Sequence, residues 1–346
     1  MPGRGTDKPR KEIIAMSKRV ALIVLAVLAA GGCVTTPTPV SPGGEDAGSA
    51  SQPAVTLAQP ASTLGEIVRR IGEEVGGGLV LMSGIEGQLI APLDVSNVAY
   101  MTLVQQLADE TGCTYHAFPN YAFIYPRGYE ALIEVSVAGM LAPAFQKRTA
   151  AMTFGYDTPI FKILALLSHS LGATVFADNI VGDARCGAVT IEEVPLADCL
   201  EAMLRSARVP PGSLQVESTD QYTFLYGAGN MSPKAPLLNA GDLDAAQRAA
   251  LDTEVTVILG ARATDETHID IEPGATPLRD VVASLSQQIG MAVTVESGME
   301  DLPVNPCVFN RVSLRVAMDL LIRQWPVPEF GYQLAESQVT IKRRPQ

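Results

Sequence analysis

Basic residues are scarce in this sequence, and so are aromatics, histidine and long apolar runs. Lys and Arg number 25 against 37 Asp and Glu, a formal charge of −12 over 346 residues. A phosphate-backbone ligand needs a basic surface that releases counterions, so no nucleic acid is expected as a partner. The longest apolar run, Val20 to Gly32, is thirteen residues, short of the ~20 that a bilayer-spanning helix requires. The only histidines are His116, His169 and His268, far apart in the chain. Catalysis needs bases and nucleophiles held together, and no shared site is legible among them. His169, between two serines beside an apolar helix face, reads as a surface or boundary residue. No Cys or His pair has a C-x-x-C or H-x-x-x-H spacing, so neither metal nor other cofactor is expected, and the chain is read as no enzyme. Glu73-Glu74 and Glu192-Glu193 are adjacent in sequence, which points their side chains apart and into solvent. Gly76-Gly77-Gly78 lacks the Lys-Ser/Thr of a phosphate loop and stands at a helix C-terminus, the wrong end for an anion. It reads as a helix stop. What is plentiful is apolar: 47 % hydrophobic against 18 % charged is a folding composition, and the length suggests two or three domains.

Lys18 and Arg19 precede the apolar run, which closes on Ala29-Ala30-Gly31-Gly32-Cys33. Basic, then apolar, then small is the order of an export signal. Met16 is a candidate start, which makes residues 1–15 an overlong start or an extended n-region. A cysteine at the cut resembles the lipobox of bacterial lipoproteins, with Ala30 where the consensus favours Leu. The resemblance implies cleavage at 1–32 and lipidation of the Cys33 thiol. The alternative is an ordinary signal cut nearby, with Cys33 a free thiol or disulfide partner. Cleavage removes six basic and two acidic residues, so 19 remain against 35 and the exported chain stands at −16. Residues 33–54, rich in Pro, Gly, Ser and Thr, read as a flexible tether with a span of roughly 25 Å. By the same resemblance Val34, where Asp would signal retention, implies an outer-membrane lipoprotein facing the periplasm.

One apolar pattern occurs three times without gaps: positions 0, +3, +4, +7 and +11, with Gly at +12. The copies are Leu64, Ile67, Val68, Ile71, Val75, Gly76; then Ile160, Ile163, Leu164, Leu167, Leu171, Gly172; then Leu278, Val281, Val282, Leu285, Ile289, Gly290. This is the spacing of one buried helix face. Ser62, Thr158 and Thr276 are placed to cap, Pro159 and Pro277 to occupy the first helical position, and the glycines to end the helix. A β-prone run follows each glycine, then a second strand, a second amphipathic helix and two strands across a polar turn. A leading strand is expected at Val55 to Leu57, Met152 to Phe154 and His268 to Ile271. The unit is therefore β-α-β-β-α-β-β, an α+β fold of about 70 residues. The boundaries are 55–127, 150–227 and 265–344, with connectors 128–149 and 228–264.

The third copy, TPLRDVVASLSQQIGMAVTVE followed by VSLRVAMDLLI and a closing QVTIK, resembles the short N-terminal module of secretins and TonB receptors, the STN or secretin N0-like module. The first copy departs most, with Gly65 and Gly72 inside its helix at roughly 1 kcal/mol each relative to Ala. The resemblance implies protein contact and not enzymology: such modules form rings or receive partners in the periplasm. Nothing after residue 344 would make a barrel, so the expectation is a lipid-anchored periplasmic scaffold or adaptor. Candidate partners are secretin, pilus or other secretion subunits, and a second copy of the chain.

In the connectors, Leu132 to Val137 and Val255 to Leu259 read as β-prone and Asp242 to Leu251 as a short helix. Cys113, Cys186, Cys199 and Cys307 sit in a chain expected in a disulfide-permitting compartment; a Cys186–Cys199 bridge would close a short loop, while a buried thiol is the favoured reading of Cys199. Trp325 is read as core or cap packing ahead of a partner anchor. The first rival function is a small-molecule or glycan binder, for which alternation puts Tyr121, Phe123 and Tyr125 on one sheet face as a pocket wall. The second, an envelope hydrolase, has no residue support beyond ordinary carboxylates and serines.

Overall fold

Short strands, several with alternating burial, and helices with a buried apolar face build the chain. A computed structural model describes residues 54–75, 77–264 and 268–345. The signal, Cys33, the tether before Ala54 and Gly76 lie outside the described residues. The protein is a mixture of α and β, 32 % helical and 36 % strand, in several small sheets.

The first stretch holds β1 (Ala54–Gln59), β2 (Ser62–Thr63), α1 (Leu64–Val75), β3 (Leu79–Leu81) and β4 (Leu89–Ile90). It continues with β5 (Leu93–Ala99), α2 (Tyr100–Glu110), β6 (Cys113–Ala117) and β7 (Ala122–Pro126). β1 pairs antiparallel with β5 and β2 with β4, while β3 runs parallel to β7, whose other edge takes β6 antiparallel. A parallel pair needs a crossover of a dozen residues or more, here supplied by β5 and α2.

After a short helix α3 (Pro143–Gln146) come β8 (Thr149–Phe154), β9 (Thr158–Pro159), α4 (Ile160–Leu171), β10 (Thr174–Ala177) and α5 (Asn179–Gly182). Then follow β11 (Arg185–Cys186), β12 (Val189–Pro195), α6 (Leu196–Ser206), β13 (Leu214–Ser218) and β14 (Tyr222–Gly227). The pairings are β8 with β12, β9 with β11, β10 parallel to β14, and β13 with β14.

The last stretch opens with α7 (Ala245–Leu251), β15 (Glu254–Leu259), β16 (Ala261–Ala263), β17 (Ile269–Ile271) and β18 (Thr276–Pro277). It goes on through α8 (Leu278–Ile289), β19 (Ala292–Val295), β20 (Pro303–Val304) and β21 (Cys307–Ser313) to α9 (Leu314–Arg323), β22 (Phe330–Ala335) and β23 (Gln338–Arg343). β15 pairs with β21, β18 with β20, β19 runs parallel to β23, and β22 pairs with β23. The same order of pairings is thus met at 54–126, 149–227 and 254–343.

The sequence expectations are corrected at four places. The strand that pairs with β21 is Glu254–Leu259, inside the expected connector, because Val257 and Leu259 bury their side chains on the core face. Ile269–Ile271 is a strand but closes a hairpin with β16. Leu132 to Val137 forms no strand: Glu130–Glu134 is a 3-10 turn, with Leu132, Val135 and Val137 buried. The expected caps Thr158 and Thr276 instead sit in two-residue strands, with Pro159 and Pro277 at the cap position and no side-chain cap bond. In α1 the capping group is Thr63, one residue past Ser62: Glu66 N donates to Thr63 Oγ1 (3.3 Å) and Thr63 N to Glu66 Oε2 (3.0 Å), a reciprocal pair of the capping-box kind. Gly172 and Gly290 do end their helices, in the left-handed conformation at φ 56° and 65°. The short helix expected at Asp242 to Leu251 is α7, capped by Asp244 in a full capping box with Gln247.

Candidate functional site

The chemistry-bearing side chains of this chain converge where one stretch meets the next. At the first joint β12 adds to the edge of β3, Val189 opposite Val80 and Thr190 opposite Leu79, making a five-stranded sheet in the order β6-β7-β3-β12-β8. Gly72 of α1 faces Thr190 so closely that a Cβ would collide with its side chain. The helix glycine that propensity alone counts as a cost is what lets the strand approach. Gly77 and Gly78 carry a similar constraint, because a Cβ would meet the Tyr100 ring or the Asn120 carbonyl.

Arg205, 2 % exposed on the last turn of α6, is the hub of this joint. Its Nε donates to Leu132 O (3.2 Å), and its Nη2 to Ile133 O (3.2 Å), Val135 O (2.5 Å) and Glu201 Oε2 (3.2 Å). Its Nη1 donates to the Tyr121 hydroxyl, and the guanidinium lies 4.0 Å over the Phe118 ring. Glu201 Oε1 accepts from Val137 N (2.8 Å), Ala138 N (3.4 Å) and Ser136 Oγ (3.1 Å). One buried ion pair thus supplies partners to a non-strand segment whose backbone would otherwise be unsatisfied. That is why 130–141 runs as a strap that buries Leu132, Val135, Val137 and Leu141 without forming a strand.

At the second joint β21 lies beside β10, bridged by side chains: Asn310 N donates to Thr174 Oγ1 (2.8 Å), which donates to Asn310 O (3.3 Å). Arg323 donates through two nitrogens to Glu217, at 2.9 and 3.3 Å, a forked charge-assisted pair. It also sits 4.5 Å over the Phe224 ring. Burial opposes ionisation of Glu217, but hydrogen bonds from Arg323 and Tyr222 outweigh it and hold the carboxyl below its ordinary range. Phe176 stacks on Phe224 at 5.7 Å and meets the edge of Phe309 at 5.1 Å. Nearby, Asp178 caps α5 through Val181 N (2.9 Å) and accepts from Gly227 N (3.0 Å) and Asn230 Nδ2 (2.8 Å). Burial nonetheless raises its carboxyl.

The residues singled out from sequence fall elsewhere. Tyr121, Phe123 and Tyr125 share a face as expected, but it is closed: they are 5 %, 0 % and 3 % exposed, in one core with α6 and β12. They wall no pocket. The four described cysteines are buried free thiols, so Cys186 and Cys199 are not bridged; their sulfurs face Met203 O and Ala150 O instead. Burial raises the Cys186 and Cys307 thiols and, with Asp198, pushes Cys199 up to about 12, which leaves them unreactive. Trp325 is core, with Nε1 donating to Pro303 O at 2.6 Å and its ring edge-on to Phe330. Glu73 and Glu74 pair with Arg69 and Arg70 one helical turn back. His169 is half-buried, with no partner for Nε2. An open groove of about 450 Å3 beside the β16–β17 hairpin is lined by Ile258, Arg262, Asp270, Glu272, Asp280 and Ser284, without an aromatic. Among the described residues no cluster of three His, Cys, Asp or Glu is placed for a metal, and no helix is long and apolar enough to cross a membrane.

Sequence reading passed over Arg205 and Arg323, although they occupy one position, ten residues into the aligned helices that begin near Val-x-Leu. No family model, curated protein or solved structure matches this chain.

Proposed function

We propose that the chain is a lipid-anchored periplasmic scaffold, three tandem copies of one STN-like module that hold or order other proteins of a cell-envelope assembly. The observation that carries this reading is the threefold recurrence of the same strand pairings around the same two helices, in the order that the secretin-type module resemblance implies. The joints add to it. Polar and aromatic side chains concentrate on holding the stretches together and not around a cavity, which fits a body that presents surfaces. The Cys33 lipobox supplies the anchor, and the several acyl chains of a mature lipoprotein hold firmly where one chain holds marginally. Secretin, pilus or other secretion subunits are the proposed partners.

Cross-linking of the native protein in intact cells, read by mass spectrometry, tests this. Recovery of secretin or secretion subunits supports the scaffold, and recovery of no envelope protein overturns it. Cys33→Ala should release the chain from membranes; a variant that stays membrane-bound removes the lipid anchor from the proposal.

A further inference from the structure

Each internal joint has two halves. A tail half, the outward face of the parallel strand pair, carries Val80, Tyr121, Phe123 and Tyr125 in the first stretch and Phe176, Tyr222, Phe224 and Tyr226 in the second. A head half, the antiparallel strand and last helical turn of the following stretch, carries Thr190 and Arg205, then Val308 and Arg323. The register of the strands places Gln338, Thr340 and Lys342 on the tail face of the last stretch, with Thr294 beside them. The helix alignment places Asp94, Asp109 and Glu110 on the head of the first.

Both outer halves are open among the described residues. Asp94, Asp109 and Glu110 are exposed, where Thr190, Arg205 and Ser206 are buried. Thr294 and Gln338 are exposed and Thr340 half-buried, where Phe176 and Phe224 are buried. β5 pairs only with β1 beyond its own turn, and β19 is an edge strand whose other side no described strand takes. The two ends carry opposite charge at matching positions: Asp109 stands where Arg323 does, and Lys342 where Tyr226 does. Arg343 and Arg344 follow Lys342 in a chain that is otherwise strongly acidic.

We infer that the open tail of one copy takes the open head of a second copy, repeating the second joint, where Arg323 lies 5.9 Å from the Tyr226 ring centre, with a charge pair, Asp109 to Lys342, in place of arginine on aromatic. Such a contact is heterologous, so it propagates beyond a dimer. With no ring buried, it is weaker than the internal joints and falls with salt. It rests on the repeat reading above only for the equivalence of positions. Its failure leaves the capture of envelope proteins untouched.

The full chain carrying both Asp109→Cys and Lys342→Cys is oxidised at low ionic strength. The expected product is a ladder of dimer, trimer and higher species, absent from each single variant. Independently, Asp109→Lys and Lys342→Glu should each lower association by tenfold or more in sedimentation. Mixing the two variants should restore it, because the intact tail of one meets the intact head of the other and the two altered ends are again complementary. A double-cysteine variant that stays monomeric, or a mixture no better than its components, overturns the inference and makes both ends caps.

Discussion

The two internal joints do the same task with different chemistry. At the first, backbone pairs with backbone: β12 continues the sheet of β3, and the arginine is spent on the strap, its guanidinium bonded to three carbonyls of 132–135. At the second, no ladder forms between β10 and β21. Threonine and asparagine side chains stand in for it, and the arginine turns to a carboxylate of the preceding hairpin. The reason lies in what precedes each joint. A strap whose Ile133 and Val135 carbonyls have no backbone donor takes Arg205; the second connector satisfies itself against β22, where Leu238 N donates to Tyr332 O and Tyr332 N to Pro236 O, and leaves Arg323 free for Glu217. One helix position therefore serves two partners.

The largest effect should separate these roles. Arg205→Ala removes the charge partner of the buried Glu201 and the side-chain donor to Ile133 O and Val135 O and is expected to cost about 3–5 kcal/mol, the loss typical of breaking a buried ion pair from one side. Arg323→Ala leaves Glu217 with Tyr222 and Lys234 still near and partly in water, so about 1–3 kcal/mol is expected. Urea unfolding of the two variants measures the gap. Equal losses would mean that the strap carbonyls are not what distinguishes the joints.

How much of this was legible follows from distance along the chain. The first helices were readable because their apolar residues recur every three or four positions, so the signal is local. Tyr121, Phe123 and Tyr125 were correctly put on one face for the same reason. What covers that face is set by residues near 190 and 205, which no window around 121 contains. The strap failed differently: Leu132, Val135 and Val137 resemble a strand, but a strand needs a backbone partner, and here a side chain takes that place. Arg205 and Arg323 could have been found, since the aligned second helices put arginine at one position in the two stretches that follow another described stretch and aspartate, Asp109, in the first described one.

Gly72→Ala is the next test, because it attacks the first joint alone. Alanine gains about 1 kcal/mol of helix propensity in isolation, yet its Cβ would meet Thr190, and forcing extra volume into a closed contact costs about 1–3 kcal/mol. Net destabilisation is expected, and Thr190→Ala in the same chain should recover part of it. Gly65→Ala meets Glu86 at 3.3 Å and the Tyr156 ring at 3.8 Å, contacts that need little adjustment, and should be close to neutral. If Gly72→Ala stabilises the chain, close approach of Thr190 to α1 is not what the glycine serves.

The smallest effect sharpens the comparison of a joint with an interior. Glu217, at the second joint, is held below the ordinary carboxylate range. Its contribution is present above that range and lost as pH falls through its lowered value. Asp319, inside the last stretch, accepts a hydrogen bond from the Tyr332 hydroxyl at 2.8 Å, but burial pushes it up from 3.8 to about 6. The folded state therefore binds the proton more tightly there, and stability is gained as pH drops from above 6 towards 4. Asp319→Asn should remove that gain, on the order of 1 kcal/mol once its partial exposure is discounted. Glu217→Gln should instead flatten the loss at acid pH. Thermal midpoints of the two variants from about pH 2.5 to 7, each against the unaltered chain, should slope in opposite directions; slopes of one sign would show that the joint carboxylate, like the interior one, is governed by burial and not by its arginine.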